Sequence, residues 1–342
     1  MKKFLFLAIA AAAMTSCSQD EVLEVAQKEA IAFNNGFINN ATRAIDPSVT
    51  STSVSEFQVW GTVTAESSSA TTSIFKNTQV KSNNNEVGVD KVWDTQGTTQ
   101  YWIAGAKYNF AGLINAGTDD TKFTLTNGLP TSVTFTQDYD AEKDLLYARS
   151  TENITGQASG NEAVEMTFDH MLSKVGFKVT NNNAANSGYT YKVTDIKITS
   201  ALAITGTATI TSTSGNNSFE WDSQSGSYID LGFGAAVAQS ETTANADAVE
   251  ITEQASMYSN NEHLLIPNTY ETLEVKFTLE TIVNDETIKV NEVVAKKATN
   301  VTFNSKTYYM INIGLAVGEP IQFTVNAINA WTPVNGETVT VQ

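Results

Sequence analysis

Charge is the first thing this sequence is short of. Only 17% of its 342 residues are Asp, Glu, Lys or Arg, against about 25% in an average soluble domain. It has one cysteine, Cys17, and two histidines, His170 and His263. No intramolecular disulfide can form from one thiol, and no cysteine–histidine zinc site can be assembled. P-loop, GxSxG and HExxH motifs are absent, which removes the common nucleotide, serine-hydrolase and zinc-peptidase readings. No pair of carboxylates stands out for glycoside hydrolysis. The expectation is a protein with no enzymatic activity, no cofactor and no metal.

Positive charge is scarcer still. Twenty Lys and Arg stand against 37 Asp and Glu, for a net charge of −17. Such a surface repels phosphate backbones, so nucleic acid is not an expected partner, and anionic headgroups are disfavoured for the same reason. The run Asp138-Tyr139-Asp140-Ala141-Glu142-Lys143-Asp144 spaces carboxylates like the start of a calcium loop. Lys143 stands where such a loop needs glycine, however, and Arg149 where it needs its closing Glu. A solvated turn is expected there and at Asp119-Asp120. His170 reads as a structural histidine, because no nucleophile stands near it in sequence.

What is present favours strands. Thr, Ser and Asn take the place of the missing charge, and 41% of residues are hydrophobic, enough for a core in each half. Period-2 alternation recurs at Phe57, Val59 and Val63, at Val133 and Phe135, and at Val164, Met166 and Phe168. It continues at Val175, Phe177 and Val179, at Leu273, Val275, Phe277 and Leu279, and at Tyr309, Ile311, Ile313 and Leu315. Each set shares one sheet face. Asn284-Asp285 marks a hairpin. No convincing helix follows residue 20, so the fold class is all-β, built of β-sandwiches. Of five tryptophans, Trp60, Trp93, Trp102, Trp221 and Trp331, most are expected in the core. Trp93 and Trp221, in polar surroundings, are the candidates for exposed roles.

The N-terminus reads as an address. Lys2 and Lys3 precede an apolar run, Phe4 to Met14, too short to span a bilayer but right for a signal peptide. Met14-Thr15-Ser16-Cys17 resembles a bacterial lipobox, with lipid carried on Cys17. The Ser18-Gln19-Asp20-Glu21 that follows resembles the surface-export signal of Bacteroidetes lipoproteins. The parts expected are a signal peptide (1–16), a tether and N-terminal strand (17–43), and two domains (44–170 and 171–342), joined near His170.

Several short motifs occur in a characteristic order. They are Ile31-Ala32-Phe33, Ala41-Thr42-Arg43-Ala44, Phe57-Gln58-Val59-Trp60-Gly61, Tyr101-Trp102 and Asp144-Leu145-Leu146-Tyr147-Ala148. Next come Met166-Thr167-Phe168-Asp169-His170-Met171-Leu172-Ser173-Lys174-Val175 and, near the end, Thr307-Tyr308-Tyr309 and Trp331. This order resembles the fimbrillin family of Bacteroidales type V pili. The resemblance implies two transthyretin-like β-sandwich domains in tandem and export as a surface lipoprotein of the outer membrane. It also implies trimming by an arginine-specific protease, which removes a first strand, and filling of the vacated groove by the C-terminal strand of a neighbouring pilin subunit. The polymer would serve adhesion, with a host protein or glycan as a further possible partner.

The residues can be set against that scheme. The chain has only two arginines, Arg43 and Arg149. Arg43 lies in a polar stretch suited to proteolysis, and Arg149 ends an apolar run expected in a sheet, so the cut is expected between Arg43 and Ala44. Ile31 and Phe33 alternate just before it, as a removable strand would. The tail offers two alternating runs, Ile321, Phe323 and Val325, then Val339 and Val341. Alternation alone leaves open which run is the donor strand, and whether both simply close the second domain. The other reading open at this point is a non-polymerising surface lipoprotein or tip adhesin that binds host or glycan ligands.

Overall fold

A computed structural model describes residues 29–38, 49–50, 53–82, 93–213, 216–238, 247–297, 300–328 and 339–340. In chain order the first half holds β1 (Phe33–Ile38), β2 (Val49–Thr50), β3 (Ser53–Val54), β4 (Glu56–Thr64), β5 (Thr71–Ser82), β6 (Trp93–Thr95), β7 (Lys107–Ile114), β8 (Phe123–Thr126), β9 (Leu129–Thr136), β10 (Leu146–Arg149), β11 (Ile154–Thr155) and β12 (Val164–His170). The second holds β13 (Ser173–Asn181), β14 (Tyr189–Thr213), β15 (Asn216–Gly234), β16 (Ala236–Val237), β17 (Ser256–Ser259), β18 (His263–Leu265), β19 (Asn268–Tyr270), β20 (Leu273–Val283), β21 (Glu286–Lys297), β22 (Val301–Phe303), β23 (Tyr308–Leu315), β24 (Gln322–Ile328) and β25 (Val339–Thr340). Among the described residues the only helical element is a 3-10 turn, Asp120–Lys122. The protein is all-β.

Three sheets carry the architecture. The first runs β1-β12-β10-β7-β4-β5-β6, with β11 beside β7. It curls far enough that Phe33, from edge strand β1, meets Phe57 and Phe75 of β4 and β5. The second runs β16-β17-β13-β23-β24-β25, with β18 beside β13, and the third runs β21-β20-β14-β9-β8, with β15 beside β14.

These sheets enclose three apolar clusters. One fills the inside of the curl, with Phe57, Val59, Phe110, Met166 and Phe168. Another lies between the outer face of the curl and β9 and β14, with Trp60, Leu113, Val133, Phe135 and Tyr147. The last lies between the second and third sheets, with Val175, Phe177, Val275, Phe277, Ile311 and Ile313. Period-2 geometry explains how β4, β7 and β10 feed two cores each. Phe110 faces inward and Ala111 and Leu113 face outward; Leu146 and Ala148 face inward and Tyr147 outward. A sheet covered on both faces reads as a nearly continuous apolar run, which is why Trp60 breaks the alternation around it.

The polar neighbours of Trp93 misled the sequence reading. Trp93 is only 6% exposed and packs 5.3 Å from Phe57 inside the curl. Asp94, the next residue on the strand, points the opposite way and is exposed. Trp221 is half-buried; its indole N–H donates to the Met171 carbonyl at 3.0 Å and lies 3.1 Å from Ser305 Oγ.

The expected join at 170/171 falls in the Met171–Leu172 link between β12 and β13, both residues fully buried. The halves on either side share a sheet. β9, from the first half, pairs with β14, from the second, in the register Ser132↔Thr209 to Thr136↔Thr205. β14 is 25 residues long: residues 189–198 pair with β20 and 196–213 with β15. Two tight turns are set by left-handed residues. Asn284 (φ 49°) and Asp285 (φ 66°) join β20 to β21, and Asn127 (φ 51°) and Gly128 (φ 81°) join β8 to β9. Both are two-residue hairpin loops of the kind that matches strand twist.

Candidate functional site

The segment from Glu29 to Ile38 occupies a slot in the first sheet. Upstream, Ala30 bridges antiparallel to Tyr101. The Ile31 N–H donates to Gln100 O at 2.8 Å, and the Trp102 N–H to Glu29 O at 3.0 Å. Downstream, the chain crosses to the other wall, where the Val164 N–H donates to Ala32 O at 2.8 Å. β1 then runs parallel to β12, in the register Phe33↔Val164 to Ile38↔Phe168, with an irregularity between Asn34 and Gly36. Parallel pairing with a neighbour so distant in sequence needs a long connection. Among the described residues, β1 pairs with no strand that follows it directly in sequence.

Side chains hold this segment more strongly than its short ladder does. Ile31 and Phe33 are 5% and 3% exposed. The Phe33 ring stands edge-on to Phe57, Phe75 and Phe110, at centroid distances of 5.8, 5.8 and 5.7 Å. Each such pair adds about 0.5–1.5 kcal/mol to the roughly 1.5–3 kcal/mol of burying a Phe. Room for the cage comes from Gly61 in β4, where a Cβ would lie 2.7 Å from the Phe75 ring and 2.9 Å from that of Phe110. Trp102 closes one side, 4.6 Å from Tyr108. The Tyr108 hydroxyl accepts from the Ile103 N–H at 2.8 Å, and burial pushes its pKa up.

A polar clasp sits at the mouth of the slot. Glu29 Oε2 accepts from the Asn161 side-chain amide at 2.7 Å and from the Asn161 backbone N–H at 2.9 Å. These bonds, the side-chain one foremost, hold the Glu29 carboxyl below the usual carboxylate range. Sequence reading singled out Ile31 and Phe33, for a removable strand, but not Glu29 and Asn161. The pair is 132 residues apart, and nothing local in either neighbourhood marks it.

At the other end of the chain, β24 pairs antiparallel with β23, from Tyr308↔Ile328 to Gly314↔Gln322. Val325 is buried in the third core, with Ile321 and Phe323 half-buried against it. Val339 pairs with Ala327 as β25 extends the edge by two residues. Cys17, Arg43, Ala44, Val341 and Trp331 lie outside the described residues. Arg149 is half-buried at the end of β10, opposite Ala111 of β7.

The carboxylates of the 138–144 run serve structure in a way the sequence did not reveal. Asp144 Oδ2 lies 2.7 Å from His170 Nδ1, with both side chains buried. Glu142 contacts His263 Nδ1 with one oxygen and accepts from the Leu264 N–H at 2.9 Å with the other. One turn thus engages both histidines and ties β12 and β18 together. Among the described residues, no three His, Cys, Asp or Glu side chains are grouped to hold a metal ion.

Residues 42–331 match a family described as fimbrillin-like. Among solved structures, the chain is similar to a fimbrial protein from Bacteroides vulgatus, with 13% identity over 89% of this chain and 99% of that one and a TM-score of 0.55. It is also similar to a fimbrial assembly protein from Parabacteroides distasonis, with 11% identity over 92% of this chain and 98% of that one and a TM-score of 0.46. The first likeness shows a shared fold. No curated protein matches the sequence.

Proposed function

The chain belongs to the fimbrillin-like family, and from that premise we propose that it is a subunit of a cell-surface pilus that assembles by strand exchange and serves adhesion. Export as a lipoprotein on Cys17 delivers it to the outer membrane. A cut between Arg43 and Ala44 then separates the segment carrying Ile31 and Phe33 from the folded body. The observation that carries this reading is the slot: an N-terminal strand, paired in parallel with the distant β12, fills an aromatic cage at a sheet edge.

The cut matters because of concentration. While joined, the strand sees its slot at an effective concentration on the order of millimolar. Once cut, it competes at its bulk concentration, and a neighbouring subunit's strand can take its place. The vacated slot would expose unpaired main-chain groups of β12 and an apolar channel, which is what recruits an incoming strand. The donor is a C-terminal run, either Ile321, Phe323 and Val325 or Val339 and Val341. β25 is joined to its own sheet at only two register positions, which favours the second run.

Arg43→Ala tests the proposal. The variant should be exported and folded yet give no SDS-resistant ladder, and surface-sheared wild-type material should begin at Ala44. Normal filaments from Arg43→Ala, with Ile31 and Phe33 retained in each subunit, would refute it.

A further inference from the structure

Arg149 is the one arginine among the described residues, and nothing in the strand scheme uses it. It emerges half-buried from β10 into a cleft of about 370 Å³. The cleft opens where the outer face of the curled sheet meets the β8–β9 hairpin and β14, at one end of the apolar layer containing Tyr147 and Ile210. In a protein of net charge −17, a guanidinium would be expected to find a carboxylate. Arg149 forms no ion pair with a described carboxylate. The Tyr147 side chain stands beside it, and its Nε is buried without a hydrogen-bond partner. A cation held part-way out of water without a counter-charge is costly. Its fork geometry fits a carboxylate.

The walls point to what carries that carboxylate. They present hydroxyls and amides, among them Thr64, Thr131, Asn127 and Ser212, beside the apolar Leu129 and Ile210. The hairpin tip closes tightly on the sheet: a Cβ on Gly128 would lie 2.5 Å from Ser73 Oγ and 2.8 Å from Thr62 Cγ2. The hydroxyls are pre-positioned by one another, Thr64 to Thr71 at 3.1 Å and Thr126 to Thr131 at 3.1 Å, while Ser212 lies 2.8 Å from Asn217 Oδ1. Each retains acceptor capacity. Glu152 also lines the cleft but is exposed, so solvent screens its repulsion of an anion. A concave polar site with one convergent charge orients a small polar ligand. We propose that this cleft binds a carboxylate-bearing sugar, a uronic or sialic acid residue of a glycan. Arg149 takes the carboxylate, and the Thr, Asn and Ser groups take the ring hydroxyls.

Ligand-observed NMR on the full-length chain tests this with D-glucuronate, D-glucose, acetate and a Glu-containing acetylated peptide as separate probes. Glucuronate should bind saturably and at least about tenfold more tightly than glucose or acetate, the size of effect expected for a charge-assisted bond in such a site. Arg149→Gln should remove that preference, with a thermal midpoint measured alongside to show that it folds. Thr131→Val, at the rim, should weaken glucuronate several-fold and leave acetate unchanged. Equal binding of glucuronate and glucose, wild-type affinity in folded Arg149→Gln, or acetate or the peptide binding as tightly as glucuronate would each overturn the proposal. If Arg149→Gln does not fold, an unaltered glucuronate affinity in Thr131→Val overturns it.

Discussion

Two strands near the ends of their sheets are held in opposite ways. β1 makes a short, irregular parallel ladder, but its Phe33 and the preceding Ile31 are driven into deep burial, with Phe33 touching three rings. β24 makes a regular seven-residue antiparallel ladder with β23, yet buries only Val325 fully, with Phe323 and the preceding Ile321 half-buried. β1 is held by its side chains, whereas β24 is held by its backbone. A strand held by side chains can be replaced by any strand presenting apolar residues at the same spacing, because main-chain groups are the same in every sequence. A strand held by a long ladder leaves only by breaking that ladder. The slot therefore suits exchange at β1, and the short β25, rather than β24, suits donation.

The largest effect should come from emptying the cage. Phe33→Ala should destabilise the uncut protein by about 3–5 kcal/mol, the usual cost of Phe removal from a core, measured by urea denaturation. A loss under about 1 kcal/mol would mean that β1 is not held by its side chains, and the contrast with β24 would collapse. Gly61→Ala comes next. Its Cβ would press on Phe75 and Phe110, and overpacking of that kind costs about 1–3 kcal/mol. If the cage is the seat of the effect, Gly61→Ala should also loosen β1, read as faster amide exchange at Val164, whose N–H is bonded to Ala32. Val325→Ala should cost about 1.5 kcal/mol, from two lost methyl groups, without changing exchange at Val164. A change there would tie the two strands together through the core and blur their independence.

Much of this was legible in sequence, for a physical reason. Burial on one face imposes period 2, so Val175, Phe177 and Val179, or Tyr309, Ile311 and Ile313, announce their strand and their face. Turn chemistry is equally local, and Asn284-Asp285 stands where the left-handed hairpin loop requires it. What stayed hidden is pairwise and distant. The β9–β14 ladder joins residues about 70 apart, so a boundary drawn from strand spacing alone separates halves that share a sheet. Trp93 was misjudged because the neighbours of a strand residue lie on the opposite face. The pairing of His170 with Asp144, and of His263 with Glu142, depends on where a loop lands after folding. So does the clasp between Glu29 and Asn161.

That clasp yields the smallest and most specific prediction. Glu29 is held below the usual carboxylate range by the bonds from Asn161, so the folded state prefers it ionised. Its contribution is complete above the unfolded carboxyl value of about 4.3 and is lost as pH falls through the lower folded value. Because Glu29 is only half-buried, at the mouth of the slot, the effect on global stability should be slight, and salt should weaken it. The local effect is larger in proportion, because Glu29 is the residue whose carbonyl accepts from Trp102 N–H at the mouth of the slot. Amide exchange at Trp102 and Asn161 should therefore quicken on acidification below about pH 4, beyond the intrinsic pH dependence of exchange, while exchange within β24 stays protected. Glu29→Gln should show the faster exchange already at neutral pH and lose the acid-dependent step. If that step survives in Glu29→Gln, another group gates the mouth of the slot, and the resident strand is held by its buried residues alone.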